Sequence, residues 1–155
     1  MTVTSVDKDY DNLTVTLTAD FDAPIDRVWD LWSDPLKLER WIGPPGAPAT
    51  VETHDLRAGG EITFIMAGPD GESHQGIWRI TAVDPPTSLE FRDAFAEAEE
   101  SVSTVRVELT EREGGTRMQV RSSYESREDM DQRVEMGEVE GWRAALGQMD
   151  QLLAG

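Results

Sequence analysis

The stretch from Phe21 to Pro45, FDAPIDRVWDLWSDPLKLERWIGPP, constrains the fold more than any other part of the chain. It follows an alternating segment in which Leu13, Val15, Leu17, Ala19 and Phe21 fall on one side, the pattern of a half-buried strand. Asp22 and Pro24 then give a helix start, an acidic residue near the cap and a proline where its missing N–H costs nothing. Val28, Leu31 and Trp32 recur at helical spacing. Ser33, Asp34 and Pro35 repeat the start signal for a second short helix carrying Leu36, Leu38, Trp41 and Ile42, and GPPGAP from Gly43 stops it. Two short helices inserted after a strand and before further strands announce an α+β architecture.

The rest of the chain reads mainly as strands. One lies near Thr50 to Asp55, followed by the pair Gly59-Gly60. Glu61 to Ala67 and Ser73 to Val83 form a hairpin around Pro69-Asp70-Gly71. With Asp70 at its centre, Ile62, Phe64, Met66, His74, Gly76, Trp78 and Ile80 share the core face. Pro85-Pro86 separates this hairpin from a strand over Leu89 to Asp93, and AFAEAEE from Ala94 is a polar connection. Two long strands, about Ser101 to Arg112 and Thr116 to Tyr124, meet at Gly114-Gly115 and point Val105, Val107, Leu109, Met118 and Val120 inward. Ser126 and Asp129 resemble a capping box that opens one long helix to about Leu153, with Val139, Trp142, Leu146, Met149 and Leu153 as its apolar stripe. Gly137, Gly141 and Gly147 lower that helix's propensity by roughly 1 kcal/mol each, so it relies on packing or needs small residues. An antiparallel sheet of this length curls, and one long helix can close its concave face over a pocket.

Composition narrows the function. The 155 residues suit one domain, with residues 1–12 a loose leading segment. There are no cysteines, which excludes disulfides, cysteine nucleophiles and thiolate metal sites. Thirty-one acidic against 14 basic side chains give a net charge of −17, which repels phosphate backbones and anionic lipid headgroups. Neither a signal peptide nor a membrane-spanning run of about 20 apolar residues is visible, so a cytoplasmic protein is expected.

Four motifs resemble the branch of the START-related, helix-grip (SRPBCC) superfamily named after the activator of heat shock protein 90 ATPase. They are Phe21 to Gly46 with its AP…VW…W.DP…L.RW.GP skeleton; Asp55 to Gly71, DLRAGGEITFIMAGPDG; Gly76 to Phe91, GIWRITAVDPPTSLEF; and the closing GWRAALGQMDQLLAG from Gly141. The resemblance implies a curved antiparallel sheet of six to seven strands, two short N-terminal helices and one long C-terminal helix around a central pocket. It also implies binding of an apolar or amphipathic small molecule, since members bind hydrophobic molecules and some act as cyclases or hydrolases on polyketide-like ligands. Eukaryotic members of the named branch carry a separate N-terminal chaperone-contacting domain. This chain starts about a dozen residues before its first expected strand, so a chaperone partner is not expected.

Within that pocket the residues expected on the wall are Trp32, Trp41, Phe64, Met66, His74, Trp78, Phe91, Asp93, Val105, Met118, Val120, Trp142, Leu146 and Met149. Of the aromatics and methionines among them, most belong to an ordinary core, and about a third would face a cavity. His74 sits on the inward face where an apolar residue is the norm, and a direct return through Pro85-Pro86 brings Asp93 beside it. Such a pair could act as base and orienter, though a mutually satisfied polar pair is the commoner outcome. His54, next to Asp55, reads as an ordinary histidine on a surface strand or bend, and the two histidines with Glu52 and Asp55 make a poor metal site. Ser103, Ser122 and Tyr124 could place hydroxyls near the pocket mouth. Neither a metal nor a cofactor is implied. The leading expectation is therefore a binding protein, with a polyketide cyclase-like or hydrolase-like enzyme second. An interaction module, chaperone-linked or homodimeric, comes third.

Overall fold

The computed structural model describes residues 3–43, 49–67, 73–95, 103–135 and 137–154. The expected turn at Pro69-Asp70-Gly71, the GPPGAP stop beyond Gly43 and most of AFAEAEE lie outside the described residues. Eight strands form one antiparallel sheet: β1 (Val3–Asp9), β2 (Thr14–Phe21), β3 (Thr50–His54), β4 (Glu61–Ala67), β5 (Ser73–Asp84), β6 (Ser88–Phe95), β7 (Ser103–Arg112) and β8 (Gly115–Ser123). Their spatial order is β1-β2-β8-β7-β6-β5-β4-β3. From β3 to β8 each strand pairs with its successor, so five of the seven ladders join neighbours in sequence there; β1–β2 is a sixth, and β2–β8 joins the two ends. This is the helix-grip arrangement, with one strand more than the six or seven expected.

The extra strand is β1, within the segment expected to be loose. Of its described side chains only Val6 and Asp9 are half-buried and the others are exposed, so it has no period-2 apolar signal to read. It is held instead by backbone pairing, with Val6 opposite Leu17 and Asp9 opposite Thr14.

Helix α1 (Ile25–Ser33) starts from Pro24, and its N-cap has no side-chain hydrogen bond, so Asp22 does not cap it. Asp34 does cap α2 (Pro35–Ile42), its carboxylate accepting from the Leu36 N–H at 2.9 Å with Pro35 in the first turn. The expected single long C-terminal helix is two, α3 (Arg127–Glu135) and α4 (Glu138–Ala154). Ser126 Oγ accepts from the Asp129 N–H at 3.1 Å, as the capping pattern predicts. The break falls at Gly137, whose φ of +89° only glycine adopts cheaply. Among the described residues no helix is long and apolar enough to cross a membrane.

The inner face of the sheet and the helices share one core. Phe21, Leu17, Ile62, Leu89, Phe91, Met118, Trp32, Trp41, Leu38, Met130, Leu146 and Met149 are its largest fully buried side chains. Trp32 meets Trp41 edge-on at 4.7 Å between ring centroids, and Trp78 stacks on Phe91 at 4.2 Å. The Trp41 indole N–H donates to the Leu31 carbonyl at 2.7 Å, locking α2 against α1. The Gln148 amide of α4 donates to the carbonyls of Trp41 (3.0 Å) and Gly43 (2.8 Å), which ties the long helix to the end of α2.

Candidate functional site

A cavity of about 330 Å³ opens between α4, the end of α2 and the inner face of β4, β5 and β6. Each element reaches it through its own periodicity. The β4–β5 register sets Met66 opposite His74 and Phe64 opposite Gly76, the pairing expected of a hairpin centred on Asp70, so Phe64, Met66 and Trp78 point to one side. Trp78 in turn faces Asp93 across the β5–β6 ladder. From α4 come Glu138, Gly141, Trp142, Ala144 and Ala145, with Gly137 just before it; positions 137, 138, 141, 144 and 145 form one helical face. An ideal Cβ built on Gly141 meets no atom within 4 Å. This glycine therefore does not admit a close neighbour, as the sequence pattern allowed, but leaves space empty.

Of the residues expected on the wall, Trp41, Phe64, Met66, Trp78, Asp93 and Trp142 are there. Trp32, Phe91, Val105, Met118, Val120, Leu146 and Met149 are instead fully buried in the core. They belong to the core that the sheet shares with the helices, whereas the sheet residues lining the cavity among the described ones come from β4, β5 and β6. The His74 backbone belongs to β5, and its side chain lies outside the described residues. The register corrects its expected relation to Asp93. Asp93 stands opposite Trp78, four residues along β5 from His74, or about 13 Å at the usual strand rise. His54 ends β3 half-buried, with Nε2 3.1 Å from the Trp32 carbonyl; because a carbonyl only accepts, that nitrogen carries the proton.

The cavity's polar end was only partly legible in the sequence. Ser103 and Ser122 lie on the buried inner face, not at a mouth, and Tyr124 is buried beside them. The Tyr124 hydroxyl donates to Glu138 Oε1 at 2.9 Å, and Arg133 Nη1 lies 3.4 Å from Glu138 Oε2. Arg133 is 5% exposed, a charge that stays inside only because it is paired. Burial first, then the charge and hydrogen bond of Glu138, push the Tyr124 phenol well above its usual range, so it remains a donor. Arg133 and Glu138 went unnoticed as site residues; their only sequence signal is a charged side chain on the core-facing side of a helix, and the helix break at Gly137 obscures that register.

Asp93 lies at the same end. By accessible surface it is half-buried, whereas protein packs around it closely enough to enclose it; both hold because the surface it keeps opens on the cavity. Burial first, then the Glu138 carboxylate, push its carboxyl up to about 7, while Arg133 and a hydrogen bond from Trp78 pull the other way. On the neighbouring strand Ser103 stands opposite Asp93, its hydroxyl buried without a hydrogen-bond partner among the described residues. The arrangement is thus an aromatic chamber with the Asp93 carboxyl beside the Arg133–Glu138 pair at its end, able to hold a molecule and to gain or lose a proton beside it.

Comparison with known proteins places this geometry in a family. The model of the Activator of Hsp90 ATPase homolog 1-like proteins matches residues 22–154. The crystal structure of protein Ms6760 from Mycobacterium smegmatis is 48% identical, covers 98% of both chains and superposes with a TM-score of 0.92. A solution structure of a protein from Arthrobacter aurescens is 45% identical over 99% of this chain and 92% of its own, with a TM-score of 0.93. CalU16 from Micromonospora echinospora, in its crystal structure, is 24% identical over 90% of this chain and 75% of its own, with a TM-score of 0.63, a likeness of fold alone. Among curated proteins there is no match.

Proposed function

This chain belongs to the Activator of Hsp90 ATPase homolog 1-like family, and from that premise we propose that it binds an apolar or amphipathic small molecule in the cavity between its sheet and α4. The observation that carries this reading is the cavity itself. A chain with a filled interior would place bulky side chains where α4 carries Gly141, Ala144 and Ala145. Its volume of about 330 Å³ and its lining of Trp41, Phe64, Met66, Trp78 and Trp142 match the concave, mostly apolar sites in which small molecules are held by a few placed polar groups. The cyclase or hydrolase reading required His74 beside Asp93, and the β5–β6 register separates them by four residues. Binding alone is proposed.

The test is a titration of the neutral apolar dye Nile red, followed by its own emission, against the wild-type chain and Gly141→Leu. The added side chain starts from a position with no neighbour within 4 Å and projects into the cavity's helical wall. Saturable wild-type binding weakened at least tenfold in Gly141→Leu, with an unchanged melting temperature, supports the proposal. Absence of saturable binding, or equal binding by both chains, sinks it.

A further inference from the structure

The polar end of the cavity also points to the kind of molecule held, an inference that rests on the binding reading above. Two carboxylates, Asp93 and Glu138, share one guanidinium, Arg133, among the described cavity-lining residues. Glu138 receives both the Tyr124 hydroxyl and Arg133, so its charge is answered within the protein. Asp93 accepts the Trp78 N–H and has surface left on the cavity. With both carboxylates ionised, the described residues at this end carry one negative charge in excess, and four aromatic side chains, Trp41, Phe64, Trp78 and Trp142, line the space in front of it. Aromatic rings attract cations through the negative faces of their π-systems, more strongly where water is displaced.

We propose that the cavity takes an organic cation, an ammonium group on an apolar body, with the charge beside Asp93 and the body against Trp41, Phe64, Trp78 and Trp142. An anionic head would meet two carboxylates there, and a neutral one would leave the excess charge uncompensated. The chain's net charge of −17 adds to this by concentrating cations around the molecule. Among the described residues, the groups facing Asp93 are Trp78 from β5, Ser103 from β7, Arg133 from α3 and Glu138 from α4. Of these only Glu138 disfavours ionisation by its charge, and a bound ammonium counteracts it. Cation binding therefore draws the proton from Asp93, and affinity falls by about tenfold between pH 8 and pH 6 as the carboxyl, held up at about 7, takes its proton back.

The experiment is calorimetric titration of three probes of one shape: naphthylmethyl-trimethylammonium, its uncharged carbon isostere neopentylnaphthalene, and naphthylacetate. Naphthylmethyl-trimethylammonium has a fixed charge, so any pH dependence belongs to the protein. The expected result is at least tenfold tighter binding of the ammonium than of the isostere at pH 8, with naphthylacetate weakest. Asp93→Asn should bring ammonium and isostere to within about threefold and remove the pH dependence, while isostere binding persists. If the isostere or the acetate binds as well as the ammonium, the cation inference fails and the pocket stands. If none of the three binds, the binding proposal fails and takes this one with it.

Discussion

Replacing Asp93 by Asn should make the protein more stable at pH 8 than at pH 4, relative to wild type. The reasoning starts from a carboxyl displaced from 3.8 to about 7 in the folded chain. Between those values the folded state keeps a proton that the unfolded state has released. The unfolded state then binds fewer protons, so stability falls as pH rises through that window and levels off above about pH 7. A displacement of about three pH units at 1.36 kcal/mol each amounts to roughly 4 kcal/mol. Water in the cavity screens part of it, which leaves about 2 to 4 kcal/mol of destabilisation in the wild type at pH 8. Asparagine has nearly the same shape and no charge, so Asp93→Asn does not suffer this loss. Whatever its amide costs in hydrogen bonding is the same at every pH. The assay is urea unfolding followed by tryptophan emission at pH 4, 5, 6, 7 and 8, and the quantity read is the difference between variant and wild type. It should grow in favour of the variant from about pH 4 to pH 7 and then stay flat. A difference that does not change with pH would refute the argument, because it would mean that Asp93 is ionised in the folded state as readily as in water.

Other perturbations test the surroundings. Gly76 faces Phe64 across the β4–β5 ladder, and a Cβ there would overlap the Phe64 ring. Gly76→Ala should cost about 1–3 kcal/mol by overpacking, seen as a lower melting temperature that Gly76→Ala with Phe64→Leu partly restores. Arg133→Met strands Glu138 and Asp93 in the interior, so urea unfolding should show a loss of about 3–5 kcal/mol, much of it recovered by adding Glu138→Gln. On the opposite side of the sheet, Arg117, then Arg112, hold the Asp20 carboxyl down at about 2. Its stabilising effect is complete above 3.8 and lost as pH falls through about 2; because both arginines are nearly half exposed, Asp20→Asn should cost only about 1 kcal/mol at pH 7 by chemical unfolding.

Where the sequence carried a strong local code, the architecture was legible. Proline and aspartate placed α2 within its observed bounds, and alternation placed β2, β4 and β5 together with the hairpin register through Asp70. It failed where stability comes from the backbone or from empty space. The β1 strand buries almost nothing, so no pattern of side chains marks it. The α3–α4 break depends on one left-handed glycine inside a sequence otherwise compatible with helix. For the site, aromatic positions on β4, β5 and α4 could be read from their faces, and Asp93 from its odd place on an inward strand position. The cavity's extent could not be read, because it is set by what Gly141 and Ala144 omit. Neither could the tie of Arg133 to Glu138, which requires knowing how two helices meet.

The ladder between β2 and β8 joins Phe21 to Thr116 and Thr14 to Ser123, the longest sequence separation in the sheet. All other ladders except the leading β1–β2 hairpin can grow stepwise along the chain from β3 to β8. A chain emerging from the ribosome therefore completes β2 first but can seat it only after β8 has appeared, and the loop entropy of that closure is paid last. The first hairpin made must wait as an unpartnered edge through most of synthesis. In pulse-labelled refolding, amides of the β3–β8 meander should gain protection before those of the β2–β8 ladder; simultaneous protection would contradict this order.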